Sequence, residues 1–502
     1  MMKKQDFRNY RGYRTAGIRL REELVPSLAM QKERVEPYLY AFHMFDKAHM
    51  VMLAEEDLIS KEAVRQLLTQ LREMEKVDIT TARLEIGGGM HSGEQFLIRS
   101  LGEDIGGLFH LGRSSGDLWE VGVRIFNRDN LLKLLTSIFN FRSTLIDLGA
   151  EHAATVMPGY SHGQHAQPTT WGHMLLSWAS VLERDCERLL LSFRHANRSP
   201  AGAAILTGSD FPLNRKRVAQ FLGFEEVEKN TFDAIMSHDL KTEITSVLAI
   251  LHMNLARIAD DLMLFTTDEY DYIEFPDRFC GTSSIMMQKK NPYAPQYIKG
   301  AAAETAGGLV TSLLVEKGPT SFPIMDRDST YKSIERTFTT LARDLNWMNE
   351  FMPALTIHKD RMREQAGEHW AQATDVAGVL VREHGLAWRT AHQIVGIVVR
   401  LSEDRNISPC DVTPALVDEA SVEYMDCPIR ISAASLKEAL DPVAAVHRRT
   451  LFGGPAPGET AARLADYRAL LKRDEQQVEH LRLHMSEGAK MLENAIDDLL
   501  RA

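Results

Sequence analysis

Hydrophobic residues recur at three- and four-residue spacing over unusually long stretches in the middle of the chain, as in amphipathic helices. The pattern predicts five long helices, at about residues 117–156, 170–197, 231–267, 291 onward and 329–352. At 1.5 Å per residue, helices of about 25–40 residues extend about 40–60 Å. Helices of that length must pack side by side, so the sequence predicts an all-α fold built on a long-helix bundle.

Shorter helical patterns flank this central region, at residues 35–58 and 61–74 before it and beyond residue 357 after it. We therefore predict three helical domains: an N-terminal domain over 1–112, a central bundle over 113–357 and a C-terminal domain over 358–502. Strand signals are weak throughout. Some apolar stripes are too wide for neighbours within one chain to cover, which favours an oligomer formed through the bundle.

Composition excludes several classes of partner. The 502 residues carry a net charge of -11, from 58 Lys and Arg against 69 Asp and Glu, without a basic stripe, so we expect no nucleic-acid partner. The polar start does not resemble a signal peptide, and no apolar run approaches the ~18 residues of a membrane helix. The four scattered cysteines form no C-x-x-C pair, which indicates a cytoplasmic protein.

Three polar segments lie at the ends of predicted helices, where a bundle presents its loops. The first, residues 110–117, places Arg113 and Ser114 just before a long helix. Backbone amides at a helix start, one arginine and hydroxyl groups suit a carboxylate ligand. The alternative is an ordinary Ser or Asp helix cap beside a solvated arginine.

The second segment, residues 159–170, contains two histidines, two glutamines and several hydroxyl groups between two helices. These side chains offer acid–base and hydrogen-bonding chemistry. His162 and His165 are also possible metal ligands in type. No third ligand stands at a convincing spacing, so we predict no metal site here.

The third segment, residues 281–292, combines small residues with a Lys-Lys-Asn-Pro run at the start of a helix. Lys289, Asn291 and the helix N-terminus would together stabilise an oxyanion that develops on a carboxylate substrate. A nearby serine would become more basic, because an adjacent positive charge favours its alkoxide. The alternative is a plain surface loop.

This third segment resembles the signature loop of the aspartase/fumarase superfamily, G-S-S-x-M-P-x-K-x-N-P. Its double lysine and preceding glutamine resemble the argininosuccinate lyase branch. The H-x-G-R-S segment at His110 and the P-G-Y-x-H-x-Q-x-A-Q-P segment at Pro158 also resemble that branch, and all three occur in the family's order. The resemblance covers nearly the whole chain.

The resemblance implies a homotetramer whose central helices form a 20-helix bundle, with each active site assembled from three subunits. It implies anti-elimination from a succinyl unit without a cofactor. A base removes the Cβ proton, an aci-carboxylate forms, the Cα–N or Cα–O bond breaks, and fumarate leaves.

By matching positions, the resemblance makes Ser283 the catalytic base on a mobile loop. Lys289 and Asn291 would hold the carboxylate that takes up the charge. Arg113 and Ser114 would bind the fumarate portion of the substrate.

The resemblance also assigns the second segment. Ser161, where the family usually has Thr, and His162 would bind a carboxylate and assist protonation of the leaving group. Gln164 and His91 are further candidates for contact with the substrate. Arg327 would bind an extra anionic group on the leaving fragment, or would form a surface ion pair instead.

The chain departs from the branch mainly where the leaving arginine would bind. The branch's G-R-S-R-N-D-Q string loses its second Arg, its Asn and its Gln in residues 112–118, and residues 322–329 lack the family's Tyr, Gln and Lys set. We therefore expect a carbon–nitrogen lyase that releases fumarate and an amine from a different N-substituted aspartate, such as the aminopolycarboxylate ethylenediamine-disuccinate. The alternatives are authentic argininosuccinate lyase or a non-catalytic relative like the lens crystallins of this family.

Overall fold

A computed structural model describes residues 35–87, 89–321 and 328–501, so Arg327 lies outside the described residues. The described chain opens on a 3₁₀ turn, and short helices precede the bundle. They are α1 (Leu39–Glu55), α2 (Lys61–Val77), α3 (Ile79–Glu85), α4 (Ser92–Leu101) and α5 (Glu103–Gly106). A 3₁₀ turn, Gly107–His110, then leads to the first long helix.

Five long helices follow in the middle of the chain, which confirms the predicted all-α fold. They are α6 (Ser115–Glu151), α7 (Trp171–Ala196), α10 (Asp239–Phe265), α11 (Tyr293–Glu316) and α12 (Asp328–Phe351), with the short α8 (Arg215–Phe221) and α9 (Thr231–Met236) between them. The sequence predicted both ends of α7 to within one residue, because Thr170 caps the first turn and Asn197 follows the last one.

The chain ends in shorter helices and one very long one. They are α13 (Lys359–Gly367), α14 (Ala373–His384), α15 (Trp388–Asp404), α16 (Pro414–Met425), α17 (Ala433–Leu440), α18 (Pro442–His447) and α19 (Pro457–Arg501). None of the helices in the described ranges combines the length and the apolar character that a membrane crossing requires.

Short strands pair in four two-stranded sheets, which the weak strand signals did not reveal. They are β1 (Val156–Ser161) with β2 (Gln164–Thr170), β3 (Arg198–Ser199) with β4 (Glu226–Val227), β5 (Ile273–Glu274) with β8 (Thr356–Ile357), and β6 (Cys280–Gly281) with β7 (Asn291–Pro292). The segment expected as a loop between two helices is therefore the antiparallel hairpin β1–β2.

Three predicted helix boundaries were wrong. The helix expected over 117–156 ends at Glu151, and residue 156 begins β1. The helix expected over 231–267 is interrupted at Ser237, which is extended. The Ser237 hydroxyl donates to the Asp239 carboxylate at 2.8 Å, and α10 begins as a new helix at Asp239. The helix expected to open at Asn291 begins at Tyr293 instead. Asn291 does not cap it, since this residue is paired with Gly281 across β6 and β7.

Helices α6, α10 and α12 run in the same direction. Near their starts, the Lys241 ammonium of α10 lies 3.2 Å from the Glu120 carboxylate of α6. Near their ends, the Thr144 hydroxyl of α6 donates to the Asn349 side chain of α12 at 2.6 Å. We call the end of the bundle where these helices start the Ser114 end.

Helices α7 and α11 run in the opposite direction. Arg124, near the start of α6, donates to the His195 carbonyl at the end of α7 at 3.0 Å, and Ser312 of α11 lies 3.0 Å from Thr242 of α10. The hairpin β1–β2 and the chain between β6 and β7 therefore lie at the opposite end of the bundle from Ser114. We call this the Ser283 end.

Three large hydrophobic cores hold most of these elements, and two small clusters lie beside them in the described residues. One joins α1, α2 and the first turns of α6, a second fills the bundle, and a third lies within residues 376–440. Helix α19 packs against the first two, through Leu471 and Val478 in the bundle and through Leu492 and Ile496 beside α1 and α2. The predicted division at 112/113 and 357/358 stays a prediction, and α19 joins the regions on both sides of it.

Candidate active site

The segment that carries Ser283 is a nine-residue loop with a closed neck. Gly281 and Asn291 pair across β6 and β7, so the loop 282–290 leaves and returns at one point. A Cβ atom on Gly281 would collide with the Tyr293 ring, so only glycine fits this neck without moving that ring. The loop is largely exposed, with Ile285 81% and Met287 94% accessible.

Within this loop, backbone groups converge on the Ser283 hydroxyl. The amides of Ile285 and Met286 donate to Ser283 Oγ at 3.3 and 3.0 Å. The carbonyl of Met286 in turn accepts from the Lys289 amide at 3.1 Å, so one turn sets the spacing between Ser283 and Lys289. Two donors aimed at one oxygen favour an alkoxide there.

The two lysines of the loop differ in their partners. Lys290 pairs with Glu274 and Asp277, both at 2.7 Å, and its hydrogen bonds to Asp277 and then Glu274 raise its pKa to about 12. Lys289 is exposed and makes no ion pair with any described residue. Of the pair, Lys289 alone therefore offers a charge that no described residue matches.

Ser161, His162 and Gln164 lie together at the tip of the hairpin β1–β2. Ser161 pairs with Gln164 across a two-residue turn in which His162 and Gly163 have φ values of 55° and 72°. Positive φ at both central residues is typical of a type I′ turn, which matches the twist of antiparallel strands. The turn exposes all three predicted side chains.

An aromatic cluster supports this hairpin at the Ser283 end. The hydroxyls of Tyr160 and Tyr272 lie 2.5 Å apart, and the Tyr160 ring also contacts the Tyr270 ring at a centroid distance of 5.6 Å. Burial and the hydrogen bond to Tyr272 raise the pKa of Tyr160, so both phenols stay neutral hydrogen-bonding groups. Through Glu274, which follows Tyr272 closely, Lys290 ties the Ser283 loop to the same region.

At the other end of the bundle, Ser114 is the N-cap of α6. Its hydroxyl oxygen accepts from the Gly116 amide at 3.3 Å, while its own amide donates to the Asp117 carboxylate at 2.9 Å. Burial raises the pKa of Asp117 to about 6, although the amide hydrogen bonds from Ser114 and Gly202 oppose the shift. Capping leaves the hydroxyl hydrogen of Ser114 able to donate to a ligand.

Arg113 faces inward. Its side chain is 1% exposed, lies 2.7 Å from the Asp46 carboxylate of α1 and stacks over the Phe109 ring. Asp46 also binds the buried Arg83. Burial alone would raise the pKa of Asp46, but Arg113 and Arg83 outweigh it and hold the pKa below its usual value.

His91 lies beside Glu94 and His110 near Ser114. The His91 and His110 rings are 5.1 Å apart at their centroids, and both face the Glu94 carboxylate. Burial and the charge of Arg113 lower the pKa of His110 to about 4, so its imidazole is neutral near pH 7. Of the described residues, these three form the group with the spacing of metal ligands.

One protomer does not bring the three predicted sets together. Ser114 precedes the 37 residues of α6, a helix about 55 Å long, whereas His162 and Ser283 lie beyond its other end. A cleft on the side of the bundle, lined by His173 and Arg257, contains none of the predicted residues. A site containing all three sets needs more than one chain.

The sequence analysis missed Asp46, which holds Arg113. Helix α1 is buried almost all round, yet it carries His43, Asp46, Lys47 and His49. Charged residues on a fully buried helix need partners, and that pattern was the available signal for an internal ion pair.

Comparisons with known proteins agree with this architecture. Residues 27–307 match the family described as lyase, and residues 370–447 match the family described as argininosuccinate lyase C-terminal. Argininosuccinate lyase from Methanosarcina acetivorans is 36% identical over 459 residues, which cover 90% of this chain and 91% of that protein.

Two solved structures of EDDS lyase have the same fold. The crystal structure in complex with formate has a TM-score of 0.86 at 30% identity and covers 94% of this chain and 93% of that one. A variant with bound fumarate has a TM-score of 0.85 at 30% identity, with the same coverage. These matches, together with the helical bundle and the Ser283 loop, show that the chain belongs to the argininosuccinate lyase branch of the aspartase/fumarase superfamily.

Proposed function

We propose that this protein cleaves the Cα–N bond of an N-substituted aspartate, with Ser283 as the base that removes the Cβ proton. Membership of the argininosuccinate lyase branch makes the chain a carbon–nitrogen lyase that releases fumarate. The observation that carries the assignment of Ser283 is the pair of backbone amides on its hydroxyl oxygen, at 3.0 and 3.3 Å, in a loop that also presents Lys289. That arrangement stabilises a serine alkoxide.

In the proposed reaction, Ser283 takes the Cβ proton, and the electron pair of the C–H bond moves into the adjacent carboxylate. The resulting aci-carboxylate carries one more negative charge than the substrate carboxylate. Lys289, Asn291 and the N-terminus of α11 stabilise that charge, because an ammonium, an amide and a helix dipole follow one another within five residues of the chain. The electron pair then returns to form the double bond as the Cα–N bond breaks.

The hairpin tip supplies the second part of the site. His162 and Ser161 bind a substrate carboxylate and assist transfer of a proton to the leaving nitrogen, with Gln164 beside them. The type I′ turn supports this role because it fixes the direction of the His162 side chain while leaving it open to a ligand.

The Ser114 end supplies the third part. The Ser114 hydroxyl and the first amides of α6 bind the carboxylate that becomes part of fumarate, as helix N-termini bind anions. Arg113 adds positive charge from behind Ser114, where Asp46 holds it in place, and His91 lies at the edge of the same region.

These three parts meet only in an assembly, and we propose a homotetramer whose active sites each draw on three subunits. The exposed face of α11 supports it, because Tyr297, Val310, Leu313 and Leu314 are more than half exposed in the protomer. A helix with apolar residues on its outer face is normally covered. Antiparallel packing of two protomers would bring a Ser114 end to a Ser283 end.

The proposed substrates are N-substituted aspartates whose leaving amine differs from arginine, including aminopolycarboxylates such as ethylenediamine-disuccinate. The second candidate is argininosuccinate itself, which the 36% identity to argininosuccinate lyase favours. Incubating the enzyme with fumarate and a panel of amines, and following the loss of fumarate absorbance, distinguishes them. If neither arginine nor any diamine or amino acid adds to fumarate, the crystallin-like structural alternative is favoured instead.

The direct test of the base is Ser283→Ala, with Ser284→Ala in the same loop as its matched control. We expect the first variant to lose at least about 10²–10⁴-fold in the rate of fumarate release, because a positioned base contributes that much. Sedimentation should show an unchanged assembly for both. Near-normal turnover by Ser283→Ala would exclude this serine as the base.

A further inference from the structure

We infer that His91, Glu94 and His110 form a binding site for a divalent metal ion of the zinc class. Their ligand atoms all lie within 4.8 Å of one another. Glu94 Oε2 is 3.5 Å from His91 Nδ1 and 3.7 Å from His110 Nδ1. In a tetrahedral zinc site with bonds of about 2.0–2.1 Å, neighbouring ligand atoms are about 3.3–3.4 Å apart, so the two separations from Glu94 are within a few tenths of an ångström of that geometry.

The ring nitrogens at this site lack other partners. His91 Nδ1 and His110 Nδ1 are both buried and make no hydrogen bond with any described residue. Buried polar atoms in native proteins normally have a partner. A metal ion would satisfy both nitrogens and the Glu94 carboxylate at once, and two imidazoles with one carboxylate are a recurrent ligand set for zinc.

Two structural elements hold the ligands in position. His91 and Glu94 are three residues apart at the start of α4, so they lie on one face of its first turn. The α4 backbone is tightly packed there, because a Cβ atom on Gly93 would lie 2.7 Å from Asp46 Oδ2. His110 ends the 3₁₀ turn that follows Gly106, where an added Cβ atom would lie 2.6 Å from the backbone of Ile98.

The charges around the site are compatible with a cation. Arg113 acts on His110, but its guanidinium is paired with Asp46, which also holds Arg83. Glu94 has no Lys or Arg partner among the described residues, so its negative charge is available to an ion. Arg113 remains the group that opposes binding.

The site lies beside the groups that we propose bind fumarate at the Ser114 end, and it gives His91 a different task from substrate contact. Three protein ligands leave a fourth position for water. A bound ion would tie α4 to the segment that leads from His110 to Ser114. We assign it a positioning role at the Ser114 end and no step in the reaction.

The test uses the full-length protein, dialysed against a chelator and then titrated with Zn²⁺ in competition with a chromophoric chelator. We expect one tightly bound Zn²⁺ per chain. His91→Ala and Glu94→Gln should each weaken binding at least about 100-fold, since each removes a direct ligand. The matched control is His480→Ala, which removes one histidine of the His480 and His484 pair on α19 and should leave the affinity unchanged.

X-ray absorption at the zinc edge of the wild-type protein, loaded with one equivalent, gives an independent readout if a variant fails to fold. We expect two imidazoles and oxygen ligands without sulfur. Sulfur scattering would place the ion at a cysteine instead and would overturn the assignment. Absence of stoichiometric binding, or equal affinity in His91→Ala and wild type, would also overturn it.

Discussion

The two ends of the bundle differ in whether their charged side chains are paired within the chain. At the Ser114 end, Asp46 binds two arginines in the interior, and Arg113 is almost wholly enclosed. At the Ser283 end, Lys289 and His162 project from exposed turns without an ion-pair partner among the described residues. At the first end, the buried charges are paired within the chain. We propose that substrate and neighbouring subunits complete the second end.

The largest expected effect comes from removing the buried counter-charge at the Ser114 end. Asp46→Asn keeps the shape of the side chain but leaves Arg83 and Arg113 buried without a counter-charge. Removing one partner of a buried ion pair costs about 3–5 kcal/mol, so we expect a loss of that size in the free energy of unfolding, measured by urea denaturation. The control is the exposed Asp57→Asn. A change below about 1 kcal/mol in Asp46→Asn would show that the arginines find other partners.

The next largest expected effect is on kcat, and it should distinguish Lys289 from Lys290 in the exposed loop. Lys289→Ala should lower kcat about 10²–10³-fold, because it removes a donor to the developing oxyanion. Lys290→Ala should change kcat little, since its charge is already matched by Glu274 and Asp277. Steady-state kinetics of fumarate release compares the two variants directly. Equal losses in both would mean that the loop needs its total charge rather than one placed ammonium.

A smaller expected effect tests whether the exposed apolar face of α11 is covered by other subunits. Leu313→Asp on α11 puts a charge into the proposed interface and should weaken the tetramer, with a cost of about 1–3 kcal/mol per interface. Leu483→Asp on α19 is matched in exposure, at 54% against 53%, and should leave assembly intact. Sedimentation velocity at several protein concentrations measures both. Dissociation of the Leu483→Asp protein alone would place the interface on α19 instead.

Local patterns in the sequence predicted the long helices and the order of the three polar segments. They did not predict the connections between the helices. The hairpin that carries His162 depends on two positive φ angles, and the interruption before Asp239 depends on one side-chain hydrogen bond. The inward direction of Arg113 depends on Asp46, which is 67 residues earlier in the chain. Contacts over that distance in sequence leave no local periodicity to detect.

The length of α6 has a genetic consequence. Because Ser114 and Ser283 lie at opposite ends of a rod about 55 Å long, the proposed site takes them from different polypeptides. Two alleles, each disabled at one of these serines, would therefore assemble into mixed particles in which some sites receive both intact residues. Co-expression of Ser114→Ala and Ser283→Ala chains should recover a fraction of wild-type turnover that neither parent shows alone.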